Sequence, residues 1–408
     1  MPNVTFFNRS YWPDSEATGQ LLTELAEHLT AKNHSVRVVV GLPNHSHIQD
    51  AGHEEEITTR NGVEIHRLAH SRIPKHTKIG RLRNLISFTM AVRKWLKQDQ
   101  RSGSAAGDVW VCETDPFFLP LVVGPAARRR GVKLVYYLQD IYPDVVVALN
   151  VASESLVTRT LRNRLKREYE RADQIIVLDE DMKARFVGWG LDPNKIAIVP
   201  NWMDCNLVQP NKIDNELRQT WGVDDQEMVV MHSGNMGMTQ RLEVLVDSFA
   251  SPDIPTDTRL FLVGNGSKRH VLESHAAGLL NVTFHDYQPK ERLGESLSAA
   301  DVHVVSMDAR IIGCLAPSKL YGILASATPL LAIVPKNNAV WQFVIENELG
   351  WCVEPGDVAG VIKAIQYAKQ LGRDKLREMG ARGRAIALDR FDRTICCTQF
   401  EQAAGLKS

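Results

Sequence analysis

Five short stretches combine residue types and spacings suited to holding an anion or activating a hydroxyl. "HSGNMGMTQRLEVLVDSF", 232–249, sets Gly234 and Gly237 ahead of a helical run that opens near Arg241. Glycines allow a tight turn there, and N–H groups entering a helix hold a diphosphate when a cation stands beside them. Asn235 and Gln240 add neutral donors; on glycine spacing alone a plain turn competes. "LVGNGSKR", 262–269, repeats the pattern more weakly around Gly264. In "APSKLYGILASATP", 316–329, Ser318 is expected as both N-cap and anion ligand, and Lys319 as a point charge for a departing phosphate. The bland alternative leaves Ser318 a cap and Lys319 solvated. "YYLQDIYPD" places Asp140 just past a strand, where a carboxylate orients or deprotonates an acceptor hydroxyl, while Asp144 after Pro143 reads as a helix cap. Near the N-terminus, Gly19 beside Thr18 marks a helix start, open to a phosphate or sugar or else a simple capped loop.

These stretches must be carried by strand ends. Short β-branched runs alternate with longer helical patterns along all 408 residues, which predicts parallel sheets built from βαβ units. Strands are expected at 3–8, 36–40, 63–68, 108–113, 133–139, 174–178 and 196–200, then at 228–233, 258–263, 282–287, 302–306, 329–334 and 351–353. Each half has enough for its own doubly wound sheet, and the polar stretch 203–227 is the expected linker. The expected domains are 1–205 and 206–388, with a terminal helix, 389–408, packing back on the first. The fold class is thus α/β, two Rossmann-like domains whose strand ends line a central cleft.

Formal net charge is zero, so no global field draws the chain to nucleic acid, although residues 1–200 carry 27 Lys/Arg against 23 Asp/Glu. Six cysteines without zinc spacing predict free thiols in a reducing cytosol. The start runs directly into a strand without a secretory leader, and no apolar run is long enough to span a bilayer, so a soluble cytoplasmic protein is expected. "LDEDM", 178–182, looks like an Asp-x-Asp metal motif, but Asp179 is a natural helix cap there, and no metal site is expected. Arg128, Arg129 and Arg130 end a helix and read as solvated. Two basic stretches remain: 72–101, with nine Lys/Arg and one acid, and 159–171, with six and two. Each suits a packed helix with a charged outer face; together they raise the expectation of peripheral contact with anionic lipid or a lipid-diphosphate acceptor.

"SGNMGMTQRLEVL", "LVGNGSKR", "VTFHDYQPKERLGESLSAADVHVV" and "APSKLYGILASATPLLA", together with "LQDIYPD" and "VPNWMD", resemble the retaining GT-B glycosyltransferases of family 4. Within it the resemblance is to the bacterial exopolysaccharide and O-antigen branch of colanic-acid type. It covers nearly the whole chain and is looser over the first 130 residues. It implies a nucleotide-diphosphate sugar donor, UDP-linked by family frequency, held by the second domain, with no metal or cofactor needed. Base and ribose would lie along 262–266 and 282–287, including Gly264 and His285. The diphosphate would face 234–241 and 318–319, and amides at Gly313, Cys314 and Leu315 would meet the sugar. Lys319 and Arg241 would stabilise the leaving diphosphate during same-face transfer through an oxocarbenium-like state. Two departures stand out. Asn235 and Gln240 occupy positions where many members carry Arg and Lys, and the usual Glu-x7-Glu pair is replaced by Cys314 and Gly322.

The function expected is therefore sugar transfer from a nucleotide-diphosphate sugar to a polysaccharide or lipid-linked saccharide acceptor. Two alternatives share the architecture: a catalytically weak nucleotide-sugar-binding partner protein, favoured by the missing glutamates, and a nucleotide-sugar 2-epimerase.

Overall fold

The computed structural model describes residues 3–14, 16–43, 55–71, 73, 78–101, 109–211 and 215–406. It divides into two compact units: Met1–Pro200 with Gly313–Ala316 and Cys396–Ser408, and Asn201–Ile312 with Pro317–Ile395.

In the first unit, apolar and β-branched runs form β1 (Asn3–Phe7), β2 (Ser35–Gly41), β3 (Glu56–Arg60), β4 (Val63–Leu68), β5 (Val109–Cys112), β6 (Lys133–Tyr137), β7 (Gln174–Val177) and β8 (Ile196–Ile198). They form one sheet in the order β3-β4-β2-β1-β5-β6-β7-β8, parallel throughout except that β3 is antiparallel to β4. Its helices are α1 (Ala17–Ala31), α2 (Lys78–Arg101), α3 (Pro120–Arg130), α4 (Asp144–Ala148), α5 (Leu156–Glu170) and α6 (Glu180–Gly188). Strands β5 and β6 are buried along most of their length, as expected where helices cover both faces of a parallel sheet. The strand order reverses between β1 and β5, so the loops after these strands form the crevice where ligands enter such sheets.

The hairpin strand β3 was not among the expected strands. Its turn is Asn61-Gly62, with φ of +48° and +80°, two residues joining Arg60 to its partner Val63. Asn-Gly is the pair that tolerates two consecutive positive φ values, which this turn demands.

The second unit holds β9 (Met228–Ser233), β10 (Thr258–Val263), β11 (Val282–His285), β12 (Val302–Ser306), β13 (Leu330–Ile333) and β14 (Gly350–Val353). The order is β11-β10-β9-β12-β13-β14, all parallel, and the reversal falls between β9 and β12. Helices α7 (Glu216–Thr220), α8 (Glu243–Phe249), α9 (Arg269–His275), α10 (Leu293–Ser298), α11 (Lys319–Ala325), α12 (Ala339–Glu346) and α13 (Val358–Ile386) surround it. One face packs Val230, Leu262, Val304 and Ile333 with residues of α8, α9 and α13; the other packs Val229, Met231, Phe261 and Val263 with Ala299, Ala300 and Trp221. The last helix, α14 (Arg393–Ala403), enters the first unit at Cys396. There Phe400 stacks on Phe6 at 6.0 Å and lies 5.1 Å from Tyr137, and His34 bonds Glu401 at 2.6 Å.

Two local expectations are corrected. Asp144 does not cap: it lies in the first turn of α4 and pairs with Arg162 at 2.9 Å and Arg185 at 3.5 Å. Arg128 and Arg130 are not merely solvated, because Glu168 and Asp99 take them at 2.8 Å each. Two nearby acids outcompete water for these guanidinium forks. Residues 72 and 74–77 of the first basic stretch lie outside the described residues. Asp179 does cap α6, accepting from Met182 N at 2.8 Å.

Candidate active site

The second unit gathers one set of expected residues where its strand order reverses. Gly234 follows β9 with φ +127°, and its N–H donates to Val263 O at 2.8 Å; the loop then continues with Met236 N donating to Asn265 O at 2.8 Å. Gly264, φ +129°, lies so close that a Cβ there would strike Gly234 O. Asn235 lies across Gly237 and Gly266: a Cβ on either would come within 2.7 Å and 2.5 Å of its amide atoms. Gln240 turns inward, its Oε1 accepting from Gly237 N at 2.9 Å, and Asp308 N donates to Thr239 O at 2.8 Å. In the loop expected to face a diphosphate, the amides of Gly234 and Met236 are thus committed to holding the two loops together, and that of Gly237 to Gln240 within its own loop.

The cation at this place is Lys319. Its stem folds over Gly234, where a Cβ would meet Cε and stand 3.2 Å from Nζ. Among the described residues it has no ion pair, and burial pulls its ammonium down to about 8. Beneath it His232 is fully buried, held neutral first by burial and then by the lysine's charge. A desolvated lysine without an acid is poised to gain from any anion that reaches it. Ser318 precedes it with helical dihedrals, φ −58° and ψ −20°, exposed and without a side-chain cap bond. An N-cap hydroxyl reaches back to its helix only from extended backbone, so the expected capping is absent and the hydroxyl is left to solvent.

Arg241 takes a different course. It sits at φ +48°, and its exposed guanidinium lies 3.6 Å from Asp308, which Arg310 also grips at 2.6 Å. No contact joins it to Lys319 among the described residues, and its charge is offset by Asp308. His285 also departs from its expected place. Its ring alternates to the sheet's inner face, stacked 4.4 Å from Trp221 and 4.9 Å from Phe261, and burial first, then Arg259 and Arg269, lower it to about 4. The group that does stand beside Gly264 is Tyr287, half-exposed two residues past β11, with its ring 3.2 Å from where a Gly264 Cβ would be. It lies within the 282–287 stretch expected along base and ribose, where the sequence singled out His285 instead.

Gly322 is buried on α11, and a Cβ there would stand 3.1 Å from Met203 and 3.2 Å from Leu297. The position faces side-chain packing, so a carboxylate would not fit without displacing both.

A second set collects in the first unit, also at its reversal point. Asp140 is bridged to Leu315, and Ile141 N donates to Cys314 O at 2.7 Å. Gly313, φ +68°, rests where a Cβ would lie 2.6 Å from Asp181 O. The segment 313–316 therefore positions Asp140. Burial and then Asp115 push the Asp140 carboxyl up to about 6. Asp115, not singled out from sequence, receives Arg9 Nε at 3.0 Å and Ser10 Oγ at 2.9 Å. Glu113 beside it is 2% exposed, and burial and then Asp115 drive its carboxyl well above the usual carboxylate range. Tyr142 stacks on Phe117 at 4.6 Å. Burial pushes Cys314 up to about 11, leaving an inert thiol. Gly19 lies on α1, where a Cβ would meet the Ser10–Tyr11 backbone at 3.2 Å, so the glycine lets α1 pack closely under that loop.

No group of three or more His, Cys, Asp or Glu able to hold a metal occurs among the described residues. Nor is any helix among them long and apolar enough to cross a membrane.

Residues 17–202 match the glycosyl transferase 4-like domain, and residues 213–385 match glycosyl transferases group 1. The chain is 24% identical over 308 residues to WbjE of Pseudomonas aeruginosa, assigned as a glycosyltransferase, covering 73% of this chain and 74% of that one. It is 25% identical over 395 residues to WcaI of Escherichia coli K12, assigned to colanic acid biosynthesis, covering 90% and 91%. Its fold is similar to that of sucrose-phosphate synthase from Thermosynechococcus elongatus, with TM-score 0.74 and 18% identity over 98% of both chains. HepE of Anabaena, solved in complex with UDP, gives TM-score 0.72 and 17% identity over 99% of both. Two glycosyltransferase domains in succession, on two parallel α/β sheets of the GT-B fold, define the class: the chain is a GT-B glycosyltransferase.

Proposed function

We propose that the chain transfers a sugar, with retained anomeric configuration, from a UDP-sugar to a saccharide acceptor of polysaccharide or lipid-diphosphate-linked type. The observation that carries this reading is Lys319, desolvated, without an acid partner, and folded over Gly234 where the strand order reverses. Negative charge grows on the diphosphate as the glycosidic bond breaks, and a fixed ammonium in a poorly hydrated place stabilises that charge. Tyr287 offers a face for the base, in place of His285. In the first unit Asp140 is the group to orient the acceptor hydroxyl and take its proton, since its carboxyl titrates near neutrality. The similarity to HepE, solved with UDP, supports the choice of uridine, and the similarity to WcaI supports a polysaccharide acceptor.

The test is to follow donor hydrolysis and transfer by NMR across a set of nucleotide sugars, reading the anomeric configuration of the product. Lys319→Ala is expected to lower kcat by at least about tenfold. Unchanged kcat in a folded variant would remove Lys319 from the chemistry. UDP binding without hydrolysis or transfer would favour the binding-partner reading, to which the packed Gly322 also points.

A further inference from the structure

Helix α2 has two unlike sides. Asn84, Phe88, Val92 and Leu96, four residues apart, are buried against the unit. The helix's only acid, Asp99, is turned inward as well, paired with Arg130 at 2.8 Å and near Arg37 at 3.8 Å. On the outer side another row with the same spacing points to solvent: Leu82, Ile86 and Met90 are 47%, 47% and 52% exposed. At about 100° per residue, Arg83, Arg93, Lys94 and Lys97 fall with that row inside one arc of roughly 120°. All four are exposed. The arc contains no acid; Glu55, from outside the helix, approaches Lys94 at 3.9 Å. Arg83, Arg93 and Lys97 have no ion pair among the described residues.

Alongside runs a groove of about 490 Å³ between α2 and α3, lined by Arg93, Lys97 and Arg129 over Val122 and Pro125. The other basic stretch differs. There Arg159 and Arg162 share Glu154, Lys166 meets Glu170 and Arg171 meets Glu168, so much of its charge is answered within the protein. Sequence alone treats the two stretches alike; the structure separates them.

An outer helix face is ordinarily polar, and a row of three large apolar side chains set among cations calls for a cover. A second copy is a poor occupant, because a two-fold contact would set like charges against one another with no acid to relieve them. A surface that is apolar inside and anionic at its boundary matches both features at once. We infer that the outer face of α2 docks on an anionic phospholipid bilayer. Leu82, Ile86 and Met90 enter the acyl boundary, Arg83, Arg93, Lys94 and Lys97 meet lipid phosphates, and the groove beside α3 receives one headgroup. This face contains no residue of the candidate active site, so it is tested apart from sugar transfer.

The experiment is co-sedimentation of the full chain with phosphatidylcholine vesicles, with and without a third of phosphatidylglycerol, at low salt. Binding is expected only to the anionic vesicles and falls as salt is raised. Arg93→Glu/Lys97→Glu is expected to weaken binding by more than about tenfold. Ile86→Ser/Met90→Ser is expected to weaken it several-fold while leaving the salt dependence in place. Thermal melts of both exposed-site variants should match the parent, which separates lost binding from lost folding. No binding to anionic vesicles at low salt, or equal binding by the charge-reversed variant, overturns the inference. A dimer in solution that Ile86→Ser/Met90→Ser turns into a monomer, without vesicle binding by the parent, assigns the face to a second copy and overturns it too.

Discussion

Asp140 and Lys319 each carry a charge that burial opposes, and each titrates on one side of neutrality. Asp140 stands at about 6 against an ordinary 3.8, and Lys319 at about 8 against 10.5. If the first acts as base and the second as cation, kcat/KM should rise with pH through about 6 and fall through about 8, as read from initial rates. Asp140→Asn should abolish the rising limb along with most activity. The same substitution has a stability signature whose sign follows from the shift. The fold favours the protonated carboxyl, so its penalty is full above 6 and fades as pH falls toward 3.8. Asp140→Asn should therefore be more stable than the parent by about 3 kcal/mol at pH 8, and equal to it near pH 4, by calorimetry. A variant that is destabilised at pH 8 would make Asp140 a structural residue.

At the scale of elements, the strands were legible where burial dictates composition. Both parallel sheets show as continuous apolar runs, since helices cover both faces. The exception is β3, "EITTR", too polar and too exposed to stand out, announced only by Asn61-Gly62 after it. In the candidate site, the places of Lys319 at the start of α11 and of Asp140 just past β6 were legible, since both follow from the βα pattern. The site was not legible at His285 or Gly322, because those depend on which way a side chain turns: one residue along a strand reverses the face, and 100° around a helix does the same. Asp115 was hidden for a related reason, as it acquires meaning only from Arg9 and Ser10 after the adjacent strand, and Tyr287, inside the expected 282–287 stretch, was passed over for His285. The C-terminal helix is an element whose docking can be measured. Phe400 is fully buried between Phe6 and Tyr137 in the first unit. Phe400→Ala should cost about 3–5 kcal/mol in urea unfolding, and a cost under about 1 kcal/mol would show that the helix is a loose appendage.

Across the whole molecule, the two units divide the groups proposed to handle phosphate from those proposed to handle a hydroxyl. Lys319, Gly234 and Tyr287 are in the second; Asp140, Asp115 and Arg9 are in the first, along with the segment 313–316 that the chain lends to it. UDP carries the donor's base and diphosphate without an acceptor, so it should engage only the second set. Hydrogen exchange gives the readout, because bound ligand raises the opening free energy of the amides it covers; at a hundredfold excess over Kd the gain is about 2.7 kcal/mol. Protection by UDP is expected over 234–241, 264–268 and 318–322, with 113–115 and 140–142 unchanged. Lys319→Ala should lose that protection at the same UDP concentration, since the diphosphate would face a site without its cation. The converse pattern, with protection at 113–115 and 140–142 alone, would place the nucleotide on the first unit and exchange the roles proposed for Lys319 and Asp140.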